Sequence, residues 1–318
     1  MKARSWSFLS MIALAVPGHA RAQDGRIYHL IEGHLQQRTN AVLALMGYSQ
    51  TPDVTSGSLK INDASTGNPS FHNTAIGGGF VVSDSFPIYL EGTAAYSRYD
   101  PRFVATDGTT QRAIPTRWNS AIGTAGVGWN FQLTDNWSLR PIGNFSIGRV
   151  ASDTTLGSWY IDHNTDADIS FLKKGTLKTN GFGESLMVVY AQYQESHEID
   201  MELRYTNILL KSYGGFTPAI EGKSRNENAS LWSRWRAPTG MHALDRPVRY
   251  IFEFAHTQYF GDDARVLGFN HLTSFGTGLE LDTSKYNPLW ISRARAVVRY
   301  VYGPGVSGVS LGLAVTFD

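Results

Sequence analysis

The residues in this chain with the most chemical potential are its histidines, its loop acids and a large set of arginines. His163 lies near Asp162 and Asp166, and His256 is followed by Asp262 and Asp263. Hydrolytic chemistry of the Ser-His-Asp kind needs nucleophile, base and orienting acid close in space, and neither histidine falls in a recognisable pattern. Acids beside a histidine are common on any loop. Zinc needs ligands at short, regular spacing; His72, His163, His197, His242, His256 and His271 lack it. The chain has 0 cysteines, which excludes disulfides and thiolate metal sites. Gly77-Gly78-Gly79 is glycine-rich but lies within an alternating segment, so it is not a phosphate loop. These residues point to no enzyme, no metal and no cofactor.

The arginines and their partner acids are more informative, because they recur at every second position. Between residues 199 and 209, Ile199, Met201, Leu203 and Tyr205 share one parity, opposite Asp200, Glu202, Arg204 and Thr206. A helix with this pattern would mix acids and large apolar groups on every side, whereas a strand separates them. Val248, Tyr250, Phe252 and Phe254 likewise oppose Arg249 and Glu253, and Ala294, Ala296, Val298 and Tyr300 oppose Arg293, Arg295 and Arg299. Adding Glu91, Arg140 and Glu280 completes a set of charges on polar strand faces. If the apolar faces meet lipid, these charges line a lumen, since a charge at the bilayer midplane costs a few kcal/mol. Both signs are present, so no strong ion preference is expected.

The elements that must position these residues are membrane β-strands of about 9–11 residues. Twelve alternating segments are expected, at 54–63, 72–83, 87–99, 117–133, 138–150, 180–193, 197–210, 226–237, 246–259, 268–282, 288–302 and 306–318. Their junctions alternate in length. Residues 83–86, 134–137 and 194–196 are short turns, with 238–244 and 282–287 as longer members of the same set. The other set holds 100–116, 151–179 and 211–225, and ends on the short Gly303-Pro304-Gly305. Short turns on one side and long loops on the other are the pattern of an outer-membrane barrel. Aromatic girdles are expected from Tyr96, Tyr99, Trp118, Tyr259, Phe260 and Tyr302 at the long-loop end. Trp137, Trp235, Trp290 and Phe317 would form the girdle near the short turns. In the last segment Val309, Leu311, Leu313, Val315 and Phe317 line one face. It looks like the C-terminal strand that the barrel-assembly machinery recognises, although here Asp318 follows the aromatic residue.

The N-terminus reads as a cleaved signal peptide over 1–22. Lys2 and Arg4 precede a short apolar core, Pro17-Gly18 breaks it, and Ala20-Arg21-Ala22 is a small-x-small cleavage pattern. Removing it takes away Lys2, Arg4 and Arg21 and no acid, so the formal charge goes from +1 to −2. That near-neutral balance offers nucleic acid no bulk attraction. Beyond the leader, no apolar run is long enough for a membrane helix. Residues 23–53 form a separate N-terminal segment, in which Ile27, Leu30, Ile31, Leu35, Val42 and Leu45 recur at helical spacing over 27–46. Some twenty helical residues rise about 30 Å, roughly a bilayer core. That helix could thread the pore, or lie in the periplasm or along the barrel wall. The barrel itself takes 54–318.

Asn73-Thr74-Ala75-Ile76-Gly77-Gly78-Gly79-Phe80, Tyr89-Leu90-Glu91-Gly92 and Tyr96-Ser97-Arg98-Tyr99 resemble the β-domain of autotransporters. With twelve strands and only about thirty residues between leader and first strand, too few for a folded passenger, the chain is most similar to the solitary, passenger-less autotransporter-like barrels. The resemblance implies an outer-membrane location and a twelve-strand count, and brings no catalytic residues. The expected fold is therefore all-β, a transmembrane antiparallel barrel with a short N-terminal helix. Its expected role is structural or weakly pore-forming and porin-like. Expected partners are outer-membrane lipid and lipopolysaccharide, the barrel-assembly machinery, and periplasmic chaperones. Two alternatives stay open: a surface adhesin or receptor-like barrel using the loop at 151–179, and an outer-membrane lipid hydrolase or protease.

Overall fold

The computed structural model describes residues 6–7, 43, 46, 56–61, 70–100, 102–106, 111–115, 117–152, 176–213, 222–261, 264, 268–283 and 291–317. Within them, strict alternation of side-chain type produces strands in chain order: β1 (Ser56–Ile61), β2 (Ser70–Val81), β3 (Ile88–Tyr99), β4 (Trp118–Trp129), β5 (Trp137–Ser152) and β6 (Thr176–Tyr193). The second half holds β7 (Glu198–Tyr213), β8 (Lys223–Ala243), β9 (Arg246–Phe260), β10 (His271–Asp282), β11 (Ile291–Gly303) and β12 (Val306–Phe317). Each pairs antiparallel with its chain neighbours, and β12 pairs with β1 from Val306↔Ile61 to Leu311↔Ser56, closing the ring. The 14-stranded sheet is these twelve plus two short pieces, Trp6–Ser7 beside the end of β12 and Phe131–Gln132 beside β5. Closure leaves no long unpaired edge, which is the condition for placing a sheet in lipid.

The turns follow from local chemistry. Ser83 Oγ accepts the Phe86 backbone N–H at 3.0 Å, and Thr134 Oγ1 accepts that of Trp137 at 3.1 Å, so hydroxyls close two of the tight connections. Between β8 and β9 the connection is tighter than the expected 238–244. β8 runs on to Ala243 through a register irregularity between Pro238 and His242, leaving only Leu244 and Asp245 in the turn. Both have positive φ, 54° and 57°, as a two-residue type I′ hairpin demands. At the opposite end, the connection after β3 carries its own hairpin, Arg102–Thr106 with Gln111–Pro115. The expected long loop at 151–179 is trimmed by strands reaching 152 and starting at 176, and its remainder, 153–175, lies outside the described residues.

The outer wall carries a continuous apolar surface. Val127, Phe145, Phe182, Leu203, Phe252, Phe275, Val298 and Leu311 are all exposed, one on each of eight strands around the barrel. An apolar surface of that extent belongs in lipid. The girdles are only partly as expected. Tyr96, Phe260 and Tyr302 are exposed, as are Trp137 and Trp235 at the opposite end. Tyr99 packs into the interior clusters, and Trp118 and Tyr259 are buried within them. Their parity places them on the lumen side of their strands, so a ring near a strand end need not face lipid.

Candidate functional site: the barrel interior

Among the described side chains, those on alternate strand positions point inward, and the interior is layered. Toward the long loops it is apolar. Ala75, Ala95, Trp118, Ile122, Val150, Leu177 and Leu210 form one cluster, and Phe71, Tyr259, Phe269, Leu272, Val301 and Val306 form another. Two further residues complete the first cluster. Leu43 and Met46 are both helical, one turn apart, and both 0 % exposed among these inward-facing groups. Gly148 lets Met46 come this close: a Cβ there would lie 2.7 Å from the Met46 Cε. The rest of the helix expected over 27–46 lies outside the described residues.

Toward the short turns the interior is charged, and three ion-pair groups fill it. In the first, Arg204 of β7 makes a two-pronged contact with Glu91 of β3, at 2.6 and 2.8 Å. Its remaining donors reach Ser185 (3.0 Å) and Thr206 (3.1 Å). Register explains how partners four strands apart can meet. Glu91, Gly126, Asn144 and Gly183 are successive Cα partners across β3 to β6, and Ser185, two residues further along β6, is the Cα partner of Thr206 on β7. A Cβ on Gly126 would lie 2.5 Å from the Glu91 Cγ, so the missing side chain is the space in which Glu91 lies down. With its amide turned to suit both neighbours, Asn144 donates to Glu91 at 3.1 Å and accepts from Ser185. Arg140 donates to Asn130 (2.7 Å) and lies 4.7 Å from the Tyr89 ring centre. Glu202 faces the charges of Arg140 and Arg204.

The second group repeats that solution. Arg234, Glu253, Gly276 and Arg299 are Cα partners across β8 to β11. Glu253 accepts from Arg234 at 2.7 Å and from Arg299 at 2.6 Å, and a Cβ on Gly276 would lie 2.8 Å from the Arg299 Cγ. In both groups a glycine in the wall gives a charged pair room to lie flat.

The third group closes the short-turn end. Arg236 contacts Asp200 (2.7 Å), Glu198 (3.0 Å) and Glu280 (3.4 Å). Arg293 reaches from β11 to Glu198 at 2.8 Å and to Glu280 at 3.5 Å, Arg295 pairs with Glu280 at 3.4 Å, and Arg249 pairs with Glu198. Glu280 is 1 % exposed, buried beneath three guanidinium groups.

The structure thus brings the sequence-selected charges together on the inward faces, each with a named neighbour. Sequence reasoning overlooked the three residues that connect them. Arg234 and Arg236 share parity with Ser230 and Trp232 inside an expected strand, which was signal enough. Glu198 starts β7 one residue before the apolar alternation begins. The C-terminal set Val309, Leu311 and Leu313 is exposed on the outer wall, and Val315 and Phe317 continue the same parity. Of the histidines, His256 lies 2.8 Å from Thr273 Oγ1 and its ring is 5.7 Å from that of His271. His163, Asp162, Asp166, Asp262 and Asp263 lie outside the described residues.

The closed sheet, the apolar outer wall and the buried charges on its inner face define an outer-membrane β-barrel. More narrowly, its fold is that of autotransporter translocator domains. It is similar to the transport unit of the autotransporter AIDA-I from Escherichia coli, with a TM-score of 0.51 and 11 % identity, covering 89 % of this chain and 99 % of that one. The β domain of the Bordetella autotransporter BrkA is also similar (TM-score 0.47, 13 % identity, 83 % and 97 % covered). So is the translocator domain of NalP from Neisseria meningitidis (TM-score 0.44, 10 % identity, 91 % and 99 % covered). At such identities the likeness is one of fold. Neither a protein-family model nor a curated protein sequence matches the chain.

Proposed function

We propose that this protein is an autotransporter-like barrel whose lumen is occupied by its own N-terminal segment and interior side chains rather than by an exported passenger. Its role is structural or weakly pore-forming, and it is not an enzyme. On this reading the chain is exported through a signal peptide cut after Ala22, kept soluble by periplasmic chaperones, and inserted by the barrel-assembly machinery through its last strand. Removal of the leader would release the two-residue pairing of Trp6 and Ser7 with Phe317 and Thr316.

The observation that carries this reading is the burial of Leu43 and Met46 among the inward faces of β2 to β7. A helix with its side chains is about 10–12 Å across, and barrel width grows with strand number, so one helix takes up most of a twelve-strand lumen. Below it the arginine–carboxylate groups link strands up to four apart around the ring. Conductance of the purified protein in a planar bilayer tests the proposal. The intact chain is expected to conduct poorly, and deletion of residues 25–50 to give a larger, steadier conductance with the barrel still folded. Equal conductance of intact and deleted forms would overturn it.

A further inference from the structure

Above the apolar belt, toward the long loops, the outer wall of β5 to β8 changes character. Arg149 and Lys178 are direct Cα partners, and so are Lys211 and Lys223, with Arg225 two residues along β8. All five are exposed. They share parity with Phe145, Ile147 and Phe182, which face outward, so the cations sit on the lipid side of the wall and not in the lumen. Like charges placed directly opposite on one sheet face repel each other, and here that happens twice on adjoining strands. Among the described residues no acid forms an ion pair with any of the five. The acids next down that face are engaged elsewhere: Glu184 accepts from Asn207 at 2.9 Å, and Glu227 from the Tyr205 hydroxyl at 2.7 Å.

We infer that this patch is a docking site for the phosphorylated headgroup of lipopolysaccharide in the outer leaflet. Charge complementarity and placement select this occupant. Arginine and lysine give phosphate oxygens charge-assisted hydrogen bonds, and a bound anion would relieve the repulsion within both pairs. Directly below, Phe145 and Phe182 pack with ring centres 4.9 Å apart and Ile147 is exposed, an apolar surface suited to acyl chains. An anionic head over the cations and chains over the rings is the geometry of a phosphorylated glycolipid beside the wall. A soluble acidic partner would have to approach within the plane of the leaflet. The inference rests on the outer-membrane fold and is independent of whether the lumen is plugged.

The test uses the full mature chain, folded in detergent and titrated with lipopolysaccharide or with the same lipid stripped of phosphate. Binding is read as the rise in the temperature at which the compact gel form is lost. The intact protein is expected to bind the phosphorylated lipid at least about tenfold more tightly, given that each basic residue near an anionic surface adds measurable attraction. Arg149→Gln with Lys178→Gln, and separately Lys211→Gln with Lys223→Gln, should each weaken that binding, and all four together should abolish the preference. Lys178→Arg with Lys211→Arg and Lys223→Arg should keep it. Equal binding of both lipids, or a fourfold variant that retains the preference, would sink the inference. Because the unboiled gel form reports folding separately, that failure leaves the barrel reading intact. Should the fourfold variant not fold, the two double variants and the arginine variant decide.

Discussion

At the scale of single residues, the stability of the interior depends on pairing. Burying one charge without its partner costs about 3–5 kcal/mol, while replacing a whole buried pair by apolar groups of similar volume is often neutral or stabilising. Arg204 and Glu91 are both nearly inaccessible and hold each other at two points. Glu91→Leu is therefore expected to lower the temperature at which the compact gel form is lost well below that of the intact protein. Adding Arg204→Met to it should restore much of the loss. A double variant no more stable than the single one would mean that Arg204 finds other acids. Gly126 extends the same logic to shape. Any side chain there meets Glu91 at 2.5 Å, so Gly126→Val should destabilise by about 1–3 kcal/mol through overpacking, measured in the same way.

At the scale of the element, each strand serves two solvents, and its parity decides which side chain meets which. Leu203 is 54 % exposed on the outer wall of β7, whereas its neighbour Arg204 is buried inside. Leu203→Arg would put a charge into lipid at a cost of about 2–4 kcal/mol near the midplane. It is expected to reduce the heat-modifiable outer-membrane fraction sharply, while Leu203→Phe should leave it unchanged. Equal yields of the two variants would invert the face assignment of β7. Thr206 is a poor inward control, because it hydrogen-bonds both Ser185 and Arg204. The turn between β8 and β9 offers a gain instead. Leu244 and Asp245 hold positive φ, which non-glycine residues adopt at a cost of roughly 1–2 kcal/mol. Leu244→Asn with Asp245→Gly matches the residues preferred in a type I′ turn. It should raise resistance to urea unfolding, and a fall would show that Leu244 makes contacts worth more than the strain.

At the scale of the whole molecule, closure and the proposed filling of the lumen predict two behaviours. The processed protein should fractionate with the outer membrane and migrate faster in detergent gels unheated than boiled. Recovery as a soluble periplasmic protein would end the barrel reading. The absence of native cysteine makes a direct test of the N-terminal segment simple. Met46→Cys with Gly148→Cys should join efficiently through a short bifunctional reagent in the folded protein. A partner moved to the outer wall, Met46→Cys with Ile147→Cys, should not join. Comparable yields for both pairs would place the segment outside the lumen.

What the sequence determined by itself was the periodic part of this molecule. Side chains alternate with a period of two on any strand, and a bilayer penalises a charge on the wrong face, so alternation alone located the strands. The expected spans 87–99 and 246–259 became Ile88–Tyr99 and Arg246–Phe260. It also assigned Glu91, Asp200, Arg204, Glu253 and Arg299 to one side of the wall. Parity names a face, however, and not a neighbour. That Arg293 meets Glu198, 95 residues away, depends on the ring's circumference, the stagger of its strands and the glycines that leave room between walls. The tertiary structure alone decided those. It likewise turned Trp118 and Tyr259 inward, where a girdle was expected, and brought Met46 against Gly148. Each of these contacts forms across a closed interior, and a closed interior exists only once the last strand has paired with the first.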